Sequence, residues 1–129
     1  GRRHAARRRS AVLKPYPQIG DFIVQHSYRV DPTDHGKLRA LLAQIRDYAD
    51  DLGVAQMEVW QDDEDPWRIV ELHGYDSWSH YQRLGQKDLP PEMDEVYRQL
   101  DRLVEGGLRA IETHTLTPWR GMADPDGNP

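Results

Sequence analysis

The sequence predicts an α+β fold, in which four strands form one antiparallel sheet and helices connect them in a split β-α-β order. Three observations support this prediction. Segments with strand-like alternation flank a long segment with helical spacing. Asp31-Pro32 and Gly53 mark the start and the end of that helical segment. A polar turn at residues 62–66 separates two further strand-like segments. The order strand, helix, strand, strand, helix, strand is that of a ferredoxin-like domain.

The first predicted strand covers residues 22–30, which alternate loosely and are rich in β-forming side chains. Alternation divides these side chains between the two faces of a strand. One predicted face carries Val24, His26, Tyr28 and Val30, and the other carries Ile23, Gln25, Ser27 and Arg29.

A long helix is predicted directly after this strand. Asp31 is its expected N-cap, and Pro32 takes the first helical position, where the missing N–H costs no hydrogen bond. Gly53 is expected to end the helix in the left-handed conformation. Between these residues the apolar side chains follow helical spacing, at Leu38, Leu41, Leu42, Ile45, Tyr48, Ala49 and Leu52.

Two further strands are predicted at residues 55–61 and 67–75, joined by the polar turn 62–66. Because this turn is short, the two strands are expected to be antiparallel. Trp60 is expected on the face opposite Val59. On the third strand, alternation places Glu71, His73 and Tyr75 on one face.

Helical segments and a last strand complete the predicted sheet. A short helix is predicted around Trp78, which we expect to fill the core between helix and sheet. A second segment, from Met93 to Val104, has helical spacing, and Gly106-Gly107 stops it. Residues 108–117 are predicted as the fourth strand.

Charge is distributed unevenly along the chain. The first 14 residues contain six basic side chains and no acid, whereas the remainder contains 11 basic and 22 acidic residues, a net charge of −11. We therefore expect a basic flexible linker at residues 1–20, one domain at 21–119 and a flexible tail at 120–129. The linker is interpreted either as a solvated segment or as a juxtamembrane segment. Nucleic-acid binding is not expected, because the acidic domain would repel phosphates.

Composition excludes several classes of site. The chain has no cysteine, which excludes disulfides, thiolate metal sites and cysteine nucleophiles. No apolar run reaches membrane-spanning length and no signal peptide follows the basic start, so a soluble piece of a longer protein is expected. The acidic turn at residues 62–65 lacks the ligand spacing of a calcium loop. Neither a metal nor a cofactor is predicted.

A four-stranded sheet with helices on one face leaves its other face uncovered. We expect this face to carry Trp60, Tyr28 and Val24, an apolar patch that is unusual in a monomer. Packing of this face against a second copy would cover the patch. The sequence therefore predicts a two-fold homodimer.

Several short motifs, taken in order and spacing, resemble a known superfamily over about residues 22–117. They are Tyr28-Arg29-Val30-Asp31-Pro32, Trp60-x-Asp62 with Asp65-Pro66, Glu71, and Ser77-Trp78 with Arg83. Together they resemble the dimeric α+β barrels that include antibiotic-biosynthesis-type monooxygenases. They resemble more closely the soluble C-terminal domain of major facilitator exporters of the transmembrane secretion effector group, which is similar to enterobactin exporters. The helix after Trp78 departs from the family's acid and two histidines, with His80, Tyr81 and Gly85.

Four residues are candidates for lining a ligand cavity: His26, Tyr28, Trp60 and His114. Trp60 is expected either to stack on a planar ligand or to pack at the dimer face. The histidines at 26, 73 and 114 lack the local spacing of a zinc site, so we interpret them as satisfied strand histidines or as hydrogen-bond partners of a ligand. No catalytic residue is predicted, since no pair of titratable groups has a spacing that identifies an acid and a base.

The resemblance implies a non-catalytic appendage of an exporter, at the cytoplasmic face of the cell membrane. Such a domain would dimerise or sense a small aromatic or hydrophobic molecule, while the parent protein exports small molecules. The alternative is a cofactor-independent antibiotic-biosynthesis-type monooxygenase that acts on an aromatic polyketide-like substrate. A third interpretation is a dimerisation module without a ligand.

Overall fold

The computed structural model describes residues 21–54 and 56–119, so the predicted basic linker and the predicted tail lie outside the described residues. Within them, four strands form one sheet in the order β2-β3-β1-β4, and each neighbouring pair is antiparallel. This topology confirms the predicted α+β, ferredoxin-like fold. The strands are β1 (Phe22–Arg29), β2 (Gln56–Gln61), β3 (Arg68–Tyr75) and β4 (Glu112–Leu116), and the helices are α1 (His35–Asp51), α2 (Trp78–Gly85) and α3 (Pro91–Leu103).

The turn between β1 and α1 follows its sequence signals, with one difference. The Asp31 carboxylate accepts a hydrogen bond from the Thr33 N–H at 2.9 Å, as expected of a cap. It caps a single 3-10 turn at Pro32–Asp34, however, and α1 itself begins at His35. Gly53 follows the end of α1 at φ +81°, which confirms the predicted left-handed conformation.

The helices cover one face of the sheet, and the apolar core lies between them. The alternation predicted for β1 is correct, but the prediction that Val24 and Tyr28 share the uncovered face with Trp60 is wrong. In the β1–β3 register Val24 pairs with His73, so that it and Tyr28 both point under the helices. The main core cluster consists of Tyr28, Val30, Leu38, Leu41, Leu42, Ile45, Met57, Ile69, Met93, Val96, Leu100 and Val104.

Trp78 does not fill the core, and that prediction is wrong. It is the first residue of α2, and 55% of it is exposed. Tyr81, one turn later, takes the predicted place instead. Its ring packs against Phe22 and Tyr75, with centroids 5.8 and 5.1 Å apart. The short α2 therefore contacts the sheet through Tyr81 rather than through its first residue.

The fourth strand is shorter than predicted because a 3-10 turn at Leu108–Ala110 occupies its first residues. Gly106 and Gly107 both have positive φ, near +80°. A Cβ on Gly107 would lie 2.8 Å from the Asp101 carboxylate, which accepts a hydrogen bond from the Leu108 N–H. Among the described residues, no helix is both long and apolar enough to span a membrane.

Candidate functional site

A buried polar network lies on the helix-covered face of the sheet. The β1–β3 register places His26 opposite Glu71, and alternation places Tyr28 and His73 on the same face. Tyr28, Glu71 and His73 are buried, and His26 is partly exposed. We call these four residues the Glu71 network. A buried carboxylate lowers stability unless it is paired and hydrogen-bonded, so the partners of Glu71 must compensate for its burial.

Both oxygens of the Glu71 carboxylate have a donor. The Tyr28 hydroxyl donates to Oε2, and His73 Nε2 lies 2.8 Å from Oε1. Because an ionised carboxylate only accepts hydrogen bonds, the His73 proton must be on Nε2. The carboxylate therefore orients the His73 ring and fixes which nitrogen is protonated.

His26 extends the network towards solvent. Its ring packs edge-to-face on the ring of His73, with centroids 5.2 Å apart. Its Nδ1 lies 2.9 Å from the hydroxyl oxygen of Thr113, on β4. The network thus begins at a buried carboxylate and ends at a partly exposed imidazole.

The electrostatics favour the ionised form of Glu71 and the neutral form of His26. Burial disfavours the Glu71 carboxylate, but the hydrogen bond and charge of His73 and the hydrogen bond from Tyr28 outweigh it and lower its pKa. Burial, and then the charge of His73, lower the pKa of His26 below its ordinary value, although Glu71 opposes this shift. Burial and the Glu71 charge raise the pKa of Tyr28, and the same causes raise that of Tyr97 to about 12. At neutral pH His26 is therefore a neutral imidazole, which is able to accept a proton.

The four predicted cavity residues do not converge within one subunit. His26 and Tyr28 belong to the Glu71 network, on the helix-covered face. Trp60 and His114 point to the opposite, open face of the sheet, where Trp60 is 58% exposed and its indole N–H donates to Glu58 at 3.1 Å. The sheet separates the two pairs.

Sequence reasoning did not assign Glu71 and His73 to the site. A carboxylate and an imidazole two residues apart on one strand face, between Ile69 and Tyr75, are a signal for a buried polar pair. The sequence pattern alone does not show the register between β1 and β3, and it is this register that brings His26 beside the pair.

The acidic turn between β2 and β3 is structural. Asp62 accepts from the Glu64 N–H at 2.8 Å and pairs with Arg68, and Asp65 pairs with Arg29. Arg29 also lies 5.4 Å from the centre of the Trp67 ring. Within residues 21–54 and 56–119, no group of three or more histidine and acidic side chains is arranged to hold a metal ion.

No family model and no curated protein matches the chain. Solved structures do match it in fold. A conserved protein from Methanosarcina mazei has a TM-score of 0.60 and 15% identity, over 76% of this chain and 92% of that one. A candidate antibiotic biosynthesis monooxygenase from Deinococcus radiodurans has a TM-score of 0.57 and 15% identity, over 74% and 89%. Another, from Chloroflexus aurantiacus, has a TM-score of 0.55 and 21% identity, over 76% and 92%.

The TM-scores establish a shared fold, and at these sequence identities they establish the fold alone. The ferredoxin-like fold is shared with two structures named as candidate antibiotic biosynthesis monooxygenases, in agreement with the fold that the broader resemblance implied. The comparisons give no support to the closer resemblance to exporter domains.

Proposed function

We propose that this domain is a cofactor-independent monooxygenase of the antibiotic-biosynthesis type. Its substrate would be a small aromatic compound with an acidic C–H or O–H group, bound where the Glu71 network meets solvent. The observation that supports this proposal best is the state of His26. It is a partly exposed, neutral imidazole that packs against an imidazole held by a buried carboxylate. This arrangement suits a general base.

The chemistry proposed for this site begins with proton removal. His26 accepts a proton from the substrate, and the resulting delocalised anion reacts with O₂. For an anthrone, a C–O bond forms at the former CH₂ carbon, and loss of water then leaves a quinone carbonyl. One oxygen atom of O₂ remains in the quinone and the other leaves as water, so the CH₂ carbon supplies all the electrons. The protein's task is to bind, orient and deprotonate the substrate.

The exporter appendage predicted from the sequence is not part of this proposal. The comparisons give no support to an exporter domain. The fold shared with the named monooxygenases supports the enzyme, together with the partly exposed base.

Oxygen uptake with anthrone-like and quinol substrates tests the proposal. We expect wild-type protein to exceed the uncatalysed rate, and His26→Ala to lose about 10²-fold, because a positioned general base contributes about 10²–10⁴. The wild-type rate should fall as the pH drops through a value below 6.5, since the base must be neutral and its pKa is lowered.

His114→Ala is the matched control for this assay, because it removes a strand histidine from the opposite face. We expect it to retain the wild-type rate. Wild-type uptake no faster than buffer, or equal rates in the two variants, would contradict the proposal.

We also propose that two copies pack through the open face of the sheet. Trp60 and Leu116, on the two edge strands, are 58% and 41% exposed on this face, and the partly exposed Val70 and Leu72 of β3 lie between them. An exposed apolar face is unusual in a monomer. Packing two sheets face to face by a two-fold rotation would bury them. The open sheet face includes Ile23, Gln25, Ser27, Trp60, Val70, Leu72, His114 and Leu116, together with the charged Arg29, Glu58, Arg68 and Glu112.

Light scattering of the full chain at micromolar concentration should give about twice the monomer mass of 15.0 kDa. Trp60→Glu should shift the protein to monomer, because it would bury a charge in the interface. Trp119→Glu is the control, since Trp119 is 69% exposed and follows β4. A monomeric wild type, or equal effects of the two variants, would refute the assembly.

A further inference from the structure

A cleft opens between α1 and the edge strand β2. Its volume is about 300 Å³, at the small end of the range for small-molecule sites. Leu38, Leu42 and Ile69 are buried at its base, and Val59 is half-exposed at its side. No residue of the Glu71 network lines it, so this cleft is distinct from the site of the proposed oxygenase reaction.

Two arginines supply the charge of the cleft. Arg39 and Arg46 are both exposed, and they lie seven residues apart on one face of α1, about 10 Å along the helix axis. Within the described residues neither forms an ion pair, although Asp50 lies one turn after Arg46. No carboxylate lines the cleft. The cleft thus combines an apolar base with two arginines that have no acidic partner among the described residues. Both lie in a domain whose net charge is negative.

The other polar side chains of the cleft are already hydrogen-bonded. His35 Nε2 lies 3.1 Å from the carbonyl oxygen of Val30 and donates to it. The Gln61 amide donates to the carbonyl oxygen of Pro66 at 3.0 Å. Trp60 also lines the cleft, and its indole N–H donates to Glu58. These bonds hold the walls in place, and they leave the two guanidinium groups as the donors that are available to a ligand.

We propose that this cleft binds a small amphipathic carboxylate, such as an aromatic or medium-chain acid. The apolar body would lie on Leu38, Leu42 and Ile69, and the carboxylate would pair with Arg39 and Arg46. A guanidinium group matches a carboxylate through two parallel hydrogen bonds, and the long arginine side chains can meet over one anion. The proposal goes beyond the oxygenase function and does not depend on it.

Isothermal titration with 2-naphthoate tests the site, with 2-acetylnaphthalene as the neutral probe of similar shape. We expect saturable naphthoate binding, weakened about tenfold by R39Q/R46Q, because charge-assisted hydrogen bonds are lost. 2-Acetylnaphthalene, which has no charge, should bind the wild type about tenfold more weakly than naphthoate does. Its affinity should therefore equal that of naphthoate for R39Q/R46Q. Ala43→Trp should abolish binding, because it fills the cleft from an exposed helix position and keeps both charges.

The matched control is K37Q/R102Q, which removes two positive charges from the groove between α1 and α3. It should bind naphthoate like the wild type. His26→Ala should also bind unchanged, which separates this site from the oxygenase proposal. Absence of saturable binding, equal affinity in R39Q/R46Q, or an equal loss in K37Q/R102Q would overturn the inference.

Discussion

Replacing His73 with leucine should lower the free energy of unfolding by about 3 kcal/mol, because it removes a hydrogen-bond donor from a buried, charged acceptor. His73 supplies the donor to one oxygen of the buried Glu71 carboxylate, and Tyr28 supplies the donor to the other. Without His73 the carboxylate keeps half of its partners in a site that water does not solvate freely. Urea denaturation at neutral pH measures the loss. Gln44→Leu, at an exposed position of α1, is the control and should change stability by less than about 0.5 kcal/mol.

The triple variant Tyr28→Phe, Glu71→Leu, His73→Leu should be more stable than His73→Leu alone. It removes the donors together with the buried acceptor, and apolar replacement of a buried polar group is often close to neutral. If the triple variant is less stable than His73→Leu, the desolvation argument for this network is wrong.

The same network sets how stability depends on pH. The folded-state pKa of Glu71 lies below its ordinary value of 4.5, so its contribution is complete above that pH and is lost as the pH falls through the folded value. His26 has a folded-state pKa below 6.5, so the unfolded chain binds its proton first and stability already declines below that pH. Both shifts therefore make acid destabilising. The midpoints of urea denaturation should decrease from pH 7.5 to 5.5 to 4. In His26→Ala, the difference between the midpoints at pH 7.5 and 5.5 should be smaller than in the wild type.

Leu100→Ala should cost about 2–5 kcal/mol of stability, because it leaves a cavity in the main core cluster. Leu100 is 2% exposed, on the face of α3 that packs against the core. Trp78→Ala is the informative comparison. It deletes a larger side chain, but one that is 55% exposed, and we expect it to cost less than about 1 kcal/mol. Equal losses in the two variants, measured by urea denaturation, would show that α2 is misplaced.

The two faces of the sheet serve different purposes in these proposals. The helix-covered face holds the base and its supporting carboxylate inside each subunit. The open sheet face holds Trp60 and His114, which the proposed dimer would bury. Substitutions on one face are therefore controls for functions of the other, which is how the assays above use them.

Sequence alone determined the features that depend on neighbouring residues. Asp31-Pro32 marked the start of the helical region and Gly53 its end, because capping and positive φ are properties of a few consecutive residues. The order of elements followed from apolar spacing and turn residues, and that order narrowed the topology to a ferredoxin-like sheet. Alternation also divided each strand correctly into two faces.

Only the tertiary structure decided which face meets the helices and which side chains meet each other. Both faces of β1 carry apolar residues, so alternation could not show that Tyr28 points under the helices and away from Trp60. Trp78 and Tyr81 compete for the same packing position, and the placement of α2 over the sheet selected Tyr81. His26 and Glu71 lie 45 residues apart in sequence, and the β1–β3 register makes them neighbours. Strand register and helix packing depend on non-local contacts, which local residue patterns do not specify.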